Sequence, residues 1–522
     1  MEKEAPRAAT GGRENVSAPF LVPNLNPNPV REIKITSKIK IRIRMEIKSP
    51  QEGEPRQFHW WLGVILALWL AGCAVGPDYK QPPANPPQNF RGDTTGLTNS
   101  LGDMPWWQLF QDETLQALIR TALSNNYDLR VAAARVEESR ALLAQSRSQF
   151  YPQVNYQAAS GAGRNELNGS PYDSGGPAGK GSDVAGSVSW EIDLWGRIRR
   201  LNESARANLF ATQEARTNVM ISLIASVAQS YFQLLALDAE MAIARETTNS
   251  FGESLKIFSE RLHGGVSSKL ETSAAAAALA TAAASIPELR RQIAFQEDQI
   301  RVLLGQNPGA VARLPGALQT EAPPEVPAGL PSALLERRPD VRQAVQLMRA
   351  ANARIGVSQA NFYPQISLTG LLGVTSQELV PFTRGAEGAW YVAANLTGPI
   401  FEGGLLKAQL RQARAVWDES RFQYQSTVLN AFQEVSDALA SRQELTLERL
   451  EQERAVAAYK EAVQVANQRY VGGQANYYEL LQEQQLLFPA QNALTQTLLN
   501  QLLASVQLYK ALGGGWNVNS SP

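Results

Sequence analysis

The chain has 522 residues and no net charge, because 49 lysines and arginines balance 49 aspartates and glutamates. A neutral chain lacks the excess of basic residues that is typical of a protein that binds nucleic acid. Two histidines and one cysteine are too few for a zinc site, for cysteine–histidine catalysis or for a disulfide framework. No apolar run reaches about 18 residues, which excludes a bundle of membrane-spanning helices. These counts favour a folded protein that is not an enzyme.

The single cysteine closes an amino-terminal signal. An apolar stretch, Trp60 to Leu70, runs into Ala71-Gly72-Cys73. A basic lead, a short apolar segment and small residues before a cleavage point are typical of a secretory signal peptide. Cysteine at that point resembles the bacterial lipoprotein box, which implies a lipid on Cys73 and a mature chain of residues 73–522. Ala74 stands where lipoproteins retained at the inner membrane often carry Asp. The alternative is a buried free thiol behind an ordinary signal.

The residues before this signal have an unusual pattern. Arg31 to Lys48 alternates isoleucine with lysine or arginine. Taken alone, the alternation predicts an amphipathic strand or a basic arm. Signal peptides run to about 15–30 residues, so a translation start at Met45 is the simpler interpretation.

The rest of the sequence contains two copies of one unit. Asp128-Leu129-Arg130 recurs 212 residues later as Asp340-Val341-Arg342, and Arg261 to Gly265 recurs 208 residues later as Arg469 to Gly473. Collinear matches at a nearly constant offset indicate a tandem duplication of domain-sized units. The predicted organisation is a signal region (1–72), a lipid anchor and linker (73–105), a first repeat (106–306), a proline-rich linker (307–331), a second repeat (332–514) and a tail (515–522).

Each repeat is predicted to contain a helix, two strands, a very long helix and a return helix. Leu405 to Val471 is 67 residues without glycine or proline, and Arg197 to Phe251 is 55. At about 1.5 Å per residue the longer helix extends roughly 100 Å. No compact core needs such a helix, so it must lie in a coiled-coil assembly or bridge a distance.

Four segments in which apolar and polar residues alternate predict strands of about ten residues, the length of a tilted transmembrane strand. Aromatic residues stand near the segment ends, as in the girdle of a membrane barrel. A half-buried sheet of a soluble protein is the alternative. Four strands cannot close a barrel, and an open edge in lipid leaves backbone groups unsatisfied, so two or three chains must contribute. The predicted faces are Val154, Tyr156, Ala158; Val184, Val188, Trp190, Ile192, Leu194; Ile366, Leu368; and Trp390, Val392, Leu396, Ile400, with Tyr151, Trp195, Tyr363, Trp390 and Tyr391 as end residues.

Motifs that could carry chemistry have simpler interpretations. Gly175 to Gly181 looks like a phosphate loop but lacks its first glycine and its final Ser or Thr. The glycine-rich stretch from Gly161 to Asp183 predicts a surface loop. Glu191 and Asp193 could form a glycosidase pair, but on a strand they share the polar face with serines and are interpreted as a wall of the lumen. His263, beside two glycines, is interpreted as a surface turn residue.

Together the motifs resemble the bacterial outer-membrane efflux proteins, TolC-like, in their lipoprotein branch of OprM and NodT type. The resemblance extends from about Cys73 to Gly514. It is carried by Leu330 to Arg342, which includes Glu336-Arg337-Arg338-Pro339-Asp340, and by Ala350 to Gly356, Phe362-Tyr363-Pro364, Val75 to Tyr79, Trp106-Trp107, Asp193 to Gly196 and Arg469 to Gly473.

The resemblance implies an α+β membrane protein: a homotrimer with a twelve-stranded barrel in the outer membrane of a Gram-negative bacterium and a twelve-helix tunnel in the periplasm. It implies a passive exit duct for drugs or other small molecules, supplied by an inner-membrane pump of the resistance-nodulation-division (RND) class through a periplasmic adaptor. No catalytic residue, metal or cofactor is expected beyond the lipid on Cys73, and no nucleic acid partner. The alternatives are a structural coiled-coil lipoprotein, or a duct for secretion or metal export.

Two glycine turns are predicted to join each long helix to its return helix. They contain Gly264, Gly265 and Val266 in the first repeat and Val471, Gly472 and Gly473 in the second. By the family's pattern these six residues face the adaptor. The alternative is that the glycines only terminate helices.

A gate is expected just after the second turn. Tyr478 and Gln482 are four residues apart and share a helix face. In related ducts the matching pair lines the constriction, commonly as an apolar residue followed by an acid, whereas this chain has neutral Gln482. Glu479 is a candidate for the missing charge, although it points about 100° around the helix, and Tyr470 is a candidate for packing the closed tip. The alternative makes Tyr477 and Tyr478 ordinary interhelical packing residues.

Overall fold

The computed structural model of the chain describes residues 74–84, 86–87, 90–91, 105–163, 179–314, 316, 318, 331–376 and 387–514. All of them belong to one unit, Ile65–Pro522. The predicted signal peptide, the basic segment before it, Cys73 and the tail 515–522 lie outside the described residues.

The two repeats have the same order of long elements. The first contains α1 (Trp106–Leu109), α2 (Glu113–Asn125), α3 (Tyr127–Ser148), β1 (Gln153–Gly163), β2 (Gly179–Ile192), α4 (Arg197–His263) and α5 (Lys269–Leu303). The second contains α6 (Pro331–Arg337), α7 (Pro339–Ala360), β3 (Gln365–Ser376), β4 (Glu387–Thr397), α8 (Leu405–Val471) and α9 (Tyr477–Ala511). Both long helices have 67 residues and both return helices have 35, which confirms the tandem duplication.

The long helices begin in the same way and one ends later than predicted. α4 and α8 start directly after Gly196 and Gly404, whose φ angles are 79° and 91°, a region that glycine enters without steric cost. α8 has the predicted bounds, whereas α4 continues past Phe251 to His263. A Cβ added to Gly252 would meet nothing within 4 Å. One helical glycine costs about 1 kcal/mol relative to Ala, too little to break a packed helix.

The four described strands form one antiparallel sheet in the order β1-β2-β3-β4. The register pairs Val154 with Val188, Val188 with Gly370 and Gly370 with Val392. Of the ten exposed large apolar residues in the described strands, all but Tyr391 have even numbers, so this register places nine of them on one face: Val154, Tyr156, Val184, Val188, Trp190, Leu372, Trp390, Val392 and Leu396. An exposed apolar face on an unclosed sheet is the arrangement that a barrel shared between chains requires.

Strand boundaries correct two predictions from the sequence. β1 ends at Gly163 and β2 begins at Gly179, so both strands extend into the stretch predicted as a loop. β2 ends at Ile192, so Asp193 is not a strand residue. Its carboxylate accepts hydrogen bonds from the backbone N–H of Ile198 (3.0 Å) and of the following residue (2.8 Å), at the start of α4. Glu191 pairs with Arg197 at 2.7 Å, so neither acid is a free lumen side chain.

The middle of α4 forms the core of the helical region. Tyr231 and Leu234 are fully buried there, together with Leu508 of α9 and Met348 of α7. Among the described helices, α4 is long and apolar enough to cross a membrane, but two-thirds of its apolar stretch is buried inside the protein. Because most of this apolar stretch is buried inside the protein, its composition is that of a core helix.

Candidate gate and docking surface

The two tip turns, residues 264–268 between α4 and α5 and residues 472–476 between α8 and α9, have the same backbone. Gly265 donates to the carbonyl of Leu262 at 3.0 Å, and Gly473 donates to that of Tyr470 at 3.1 Å. The φ angles of these glycines are 71° and 72°, a region disfavoured for residues with a Cβ. Gly264 and Gly472 have ordinary φ angles of −78° and −74°. Only the second glycine of each turn is therefore required by backbone conformation.

The residues predicted to face the adaptor lie on the surface of the single chain. The side chains of Val266 and Val471 are 73% and 76% exposed, which is unusual for valine. The glycines terminate the helices, as the alternative held, and they also leave an open apolar surface. Every member of the predicted set is exposed: Gly264, Gly265, Val266, Val471, Gly472 and Gly473.

Behind the turns, three aromatic rings join the two hairpins. Tyr477 of α9 is 2% exposed, and its ring centre lies 3.8 Å from that of Phe258 in α4. Tyr470 of α8 lies 5.7 Å from Phe258. The hydroxyl of Tyr470 accepts a hydrogen bond from Arg261 of α4, whose guanidinium lies 5.0 Å from the same ring centre. Burial raises the pKa of Tyr477 to about 12. Tyr470 thus packs the tip, and Tyr477 is an interhelical packing residue.

The predicted gate face points away from this cluster. Tyr478 is 71% exposed and Gln482 is exposed, whereas Leu480 and Leu481 are buried. Within the chain, Tyr478 therefore takes no part in interhelical packing. The carboxylate of Glu479 lies 3.1 Å from the guanidinium of Arg469 in α8, so its charge is engaged inside its own hairpin.

Sequence reasoning missed two tip residues. Leu270, in the first turn of α5, is 79% exposed, and the offset of 208 aligns it with Tyr478. The same offset aligns Arg261 with Arg469, yet Arg261 bonds to the other hairpin and Arg469 to its own. The repeat alignment could have identified both positions, but it gives no information on partners in the fold.

Comparison with known proteins decides the family. The sequence profile described as outer membrane efflux protein matches residues 118–306 and residues 330–514, once in each repeat. The chain belongs to this family. The two matches correspond to the two structural repeats, so the predicted resemblance is confirmed.

Individual outer membrane efflux proteins are similar over most of their length. A probable efflux pump outer membrane protein, TtgC of Pseudomonas putida, is 36% identical over 87% of this chain and 94% of its own. The probable outer membrane lipoprotein SilC of Salmonella typhimurium is 34% identical over 87% and 98%. The open-state structure of the Neisseria gonorrhoeae MtrE outer membrane channel superposes with a TM-score of 0.76 at 30% identity, covering 85% of this chain and 98% of that one.

Family membership confirms the predicted fold class and location. The fold is that of the trimeric channels of this family, with four strands from each chain in one twelve-stranded barrel and the helical hairpins in the periplasm. The protein is an outer-membrane exit channel of an efflux system. The alternative of a structural coiled-coil lipoprotein, which did not explain the four amphipathic strands, is therefore wrong.

Proposed function

We propose that this outer membrane efflux protein is a passive duct that receives small molecules from an inner-membrane RND pump through a periplasmic adaptor. The observation that carries the proposal is the pair of exposed tip turns with one backbone shape, held roughly 100 Å from the sheet by 67-residue helices. A helical tube of this kind encloses a passage but supplies no energy for transport. A partner at the tips must therefore deliver the cargo.

The adaptor docks at the tip turns in this proposal. Val266, Val471 and Leu270 offer exposed apolar side chains there, and the glycines allow close approach of a partner helix. Gly264 is the sharpest position for a test, because its φ is ordinary and an added Cβ would meet no atom closer than 3.6 Å. At Gly472 the same atom would lie 3.3 Å from a backbone oxygen.

Gly264→Phe is expected to weaken cross-linking to the adaptor in whole cells while the amount of trimer is unchanged. Gly252→Phe, in open space on α4, is the matched control and should cross-link as the wild type does. Intact cross-linking together with lost trimers would show that the glycine has only a structural role.

The gate proposal places Tyr478 and Gln482 at the constriction. Three-fold symmetry would bring three exposed Tyr478 rings and three Gln482 amides toward one axis, where bulk and hydrogen bonds narrow the passage. Because the Tyr477 ring is held against Phe258 of the other hairpin, Tyr478, which lies about 100° further around α9, is directed away from that contact. The gate would thus be closed by polar and aromatic groups, without the usual acid.

The double variant Tyr478→Ser with Gln482→Ser is expected to raise resting conductance in planar bilayers. Glu479→Gln should mainly lower cation preference, because Arg469 then keeps its charge without a partner. Tyr477→Phe, which retains the buried ring, is the control for general disturbance of α9. A double variant that remains trimeric and conducts like the wild type would contradict the gate.

The amino-terminal lipid is the third part of the proposal. Cys73 follows a signal-like segment, and the similar protein SilC is named a probable lipoprotein. One acyl chain gives only marginal membrane affinity, whereas a closed barrel inserts by its own apolar face. Cys73→Ser should therefore lose metabolic labelling by a fatty acid and still be secreted and inserted through its barrel. Equal labelling of wild type and variant would refute lipid attachment at this residue.

A further inference from the structure

Two motifs that duct function leaves unexplained meet in the structure. Val75 to Tyr79 follows the anchor, and Ala350 to Gly356 lies within α7 in the second repeat. Residues 74–79, which we name the strap, lie against this part of α7. A Cβ added to Gly76 would lie 2.4 Å from the Cα of Gly356, so the two backbones touch. The φ of Gly76 is 113°, which also favours glycine.

The carbonyl groups of the strap are bound by buried side chains. Arg200 of α4 donates to the carbonyls of Val75 (3.4 Å) and Gly76 (3.2 Å). Asn352 of α7 donates to the carbonyl of Pro77 at 2.8 Å. Arg200 and Asn352 are only 6% and 5% exposed. Release of the strap would break these three hydrogen bonds, each with a net value of about 1 kcal/mol, whereas Arg200 would keep its ion pair with Glu203.

The strap is further held by contacts on either side of these carbonyls. The guanidinium of Arg349 lies 5.1 Å from the ring centre of Tyr79, within the range of a cation–π contact. Arg200 also pairs with Asp78 at 2.9 Å. The Asp78 side chain is 91% exposed, so this ion pair contributes little. Recognition of the strap is therefore mainly through its backbone and its close glycine contact.

The strap is also fastened at the boundary between sheet and helices. The N–H of Val75 donates to the carbonyl of Trp195 at 2.9 Å, in the turn between β2 and α4. The Trp195 ring stacks on Tyr363 at 4.7 Å, and its indole N–H donates to the carbonyl of Pro364 at 2.7 Å, directly before β3. The strap thus contacts Trp195 directly, and Trp195 in turn contacts the two residues before β3, so both repeats are joined here at the boundary between the sheet and the helices.

We infer that α4 and α7 form an intramolecular docking site for the strap, made by Arg200, Asn352 and Gly356, and that docking fixes the start of the mature chain beside the Trp195–Tyr363 pair. The inference rests on the proposed lipidation of Cys73, the residue before the strap. A lipid on a free leader could enter the membrane anywhere within reach. A docked strap confines it to the aromatic level of the barrel and joins anchor and barrel into one membrane-binding unit.

Trypsin cleavage after Lys80 measures release of the strap. Lys80 is exposed and directly follows Tyr79, and cleavage requires the flanking residues to leave the docking site. Proteolysis of a transiently open segment follows the population of the open state. The experiment uses full-length trimers purified in detergent, with cleavage at Lys80 followed by mass spectrometry.

Four variants separate the docking site from the lipid. Gly76→Ala acts from the strap alone and leaves α4 and α7 unaltered, whereas Gly356→Ala acts from the docking site, where its Cβ would lie 2.9 Å from the carbonyl oxygen of Val75. Both should be cleaved at least about tenfold faster than the wild type, the effect of losing roughly one or two hydrogen bonds. Gly252→Ala, a helical glycine in open space, and Cys73→Ser should be cleaved at the wild-type rate.

Fatty-acid labelling of the same variants reads out the lipid independently. Gly76→Ala and Gly356→Ala should be labelled as strongly as the wild type. Wild-type cleavage rates in both glycine variants would overturn the docking site. Equally fast cleavage of Cys73→Ser and Gly76→Ala would also overturn it, because the lipid would then be what holds the segment. An unlabelled wild type would overturn the lipid anchor, while the cleavage rates would still decide whether the strap docks.

Discussion

The tips of the two hairpins have one backbone and different side-chain partners. In both turns the same hydrogen bonds reverse the chain, with a glycine at φ near 70°. In the first tip, Glu271 bonds to Ser268 in a capping box, and Arg261 is left to bond Tyr470 in the other hairpin. In the second tip, the equivalent acid bonds to its own arginine. The two repeats therefore share the backbone of the turn, but the charged residues beside it have different partners.

This difference assigns separate tasks to the two hairpins. The second provides the aromatic cluster residues Tyr470 and Tyr477 as well as the exposed Tyr478. The first contributes Phe258 and Arg261, which hold that cluster from the side. The fold class follows from features that the repeats share, whereas the properties of the tip follow from positions at which they differ.

The largest expected difference between the repeats is at Tyr477 and its counterpart Lys269. Tyr477 is buried against Phe258, whereas Lys269 is exposed. Tyr477→Ala removes a buried ring, a change that costs about 3 kcal/mol, and Lys269→Ala should change the free energy of tip opening by less than about 0.5 kcal/mol. Hydrogen exchange of the first turns of α9 and α5 measures both. Similar effects of the two variants would show that the tips are packed alike.

A second difference lies at the other end of the return helices. Asn126 donates to the carbonyl of Leu303, and Arg338, in the equivalent position, donates to that of Ala511. Arg338 is buried and also pairs with Asp340 and Glu434, in the motif that carries the family resemblance.

Arg338→Ala should therefore destabilise the protein more than Asn126→Ala. Breaking a buried ion pair costs about 3–5 kcal/mol, but both acids are partly exposed, so about 2 kcal/mol is expected. Asn126→Ala removes a helix cap and one further hydrogen bond, at about 1 kcal/mol. The thermal midpoints of the purified trimers, compared at one scan rate because unfolding of such proteins is often irreversible, test the order. A lower midpoint for Asn126→Ala than for Arg338→Ala would reverse the comparison.

These cases show how far the sequence alone reaches. The bounds of α8 follow from 67 residues without a breaker, and the apolar face of the sheet follows from alternation, because both are local patterns. The extension of α4 past Gly252 was missed because packing overrides the propensity of one glycine. Alternation and spacing predict which residues share a face but not which neighbour that face meets. For that reason Tyr477 and Tyr478 could not be assigned to inside and outside, and the strap could not be placed on α7.

The cross-hairpin bond is the third difference. Arg261→Met removes the hydrogen bond to Tyr470 and the cation–π contact, whereas Arg469→Met breaks only an ion pair whose side chains are about half exposed. The first should lower the free energy of tip opening by about 1 kcal/mol, and the second by a few tenths. Resting conductance in planar bilayers should rise only for Arg261→Met. A rise for Arg469→Met alone would show that the ion pair within the second hairpin holds the gate.

The smallest expected effect is a pH dependence of the first tip. Hydrogen bonds from the hydroxyl of Ser267 (2.6 Å) and the N–H of Ser268 (2.8 Å) lower the pKa of Glu271 below its usual value. A carboxyl with a lowered pKa in the folded state stabilises it above the unfolded pKa, about 4.3, and this stabilisation is lost as the pH falls through the folded value. Because the site is close to solvent, no more than about 1 kcal/mol is involved.

Acidification below about pH 4.3 should therefore open the first turn of α5 in the wild type. In Glu271→Gln the opening should be nearly independent of pH, since no carboxyl remains to titrate. Hydrogen exchange corrected for the intrinsic rate at each pH measures the difference. Ser268→Ala, which removes the N-cap hydroxyl but keeps the acid, should open the turn at every pH and reduce the slope only in part. An equal slope in the wild type and Glu271→Gln would mean that the acid responsible lies elsewhere, and the contrast between the two tips would then reduce to Arg261 and its bond to Tyr470.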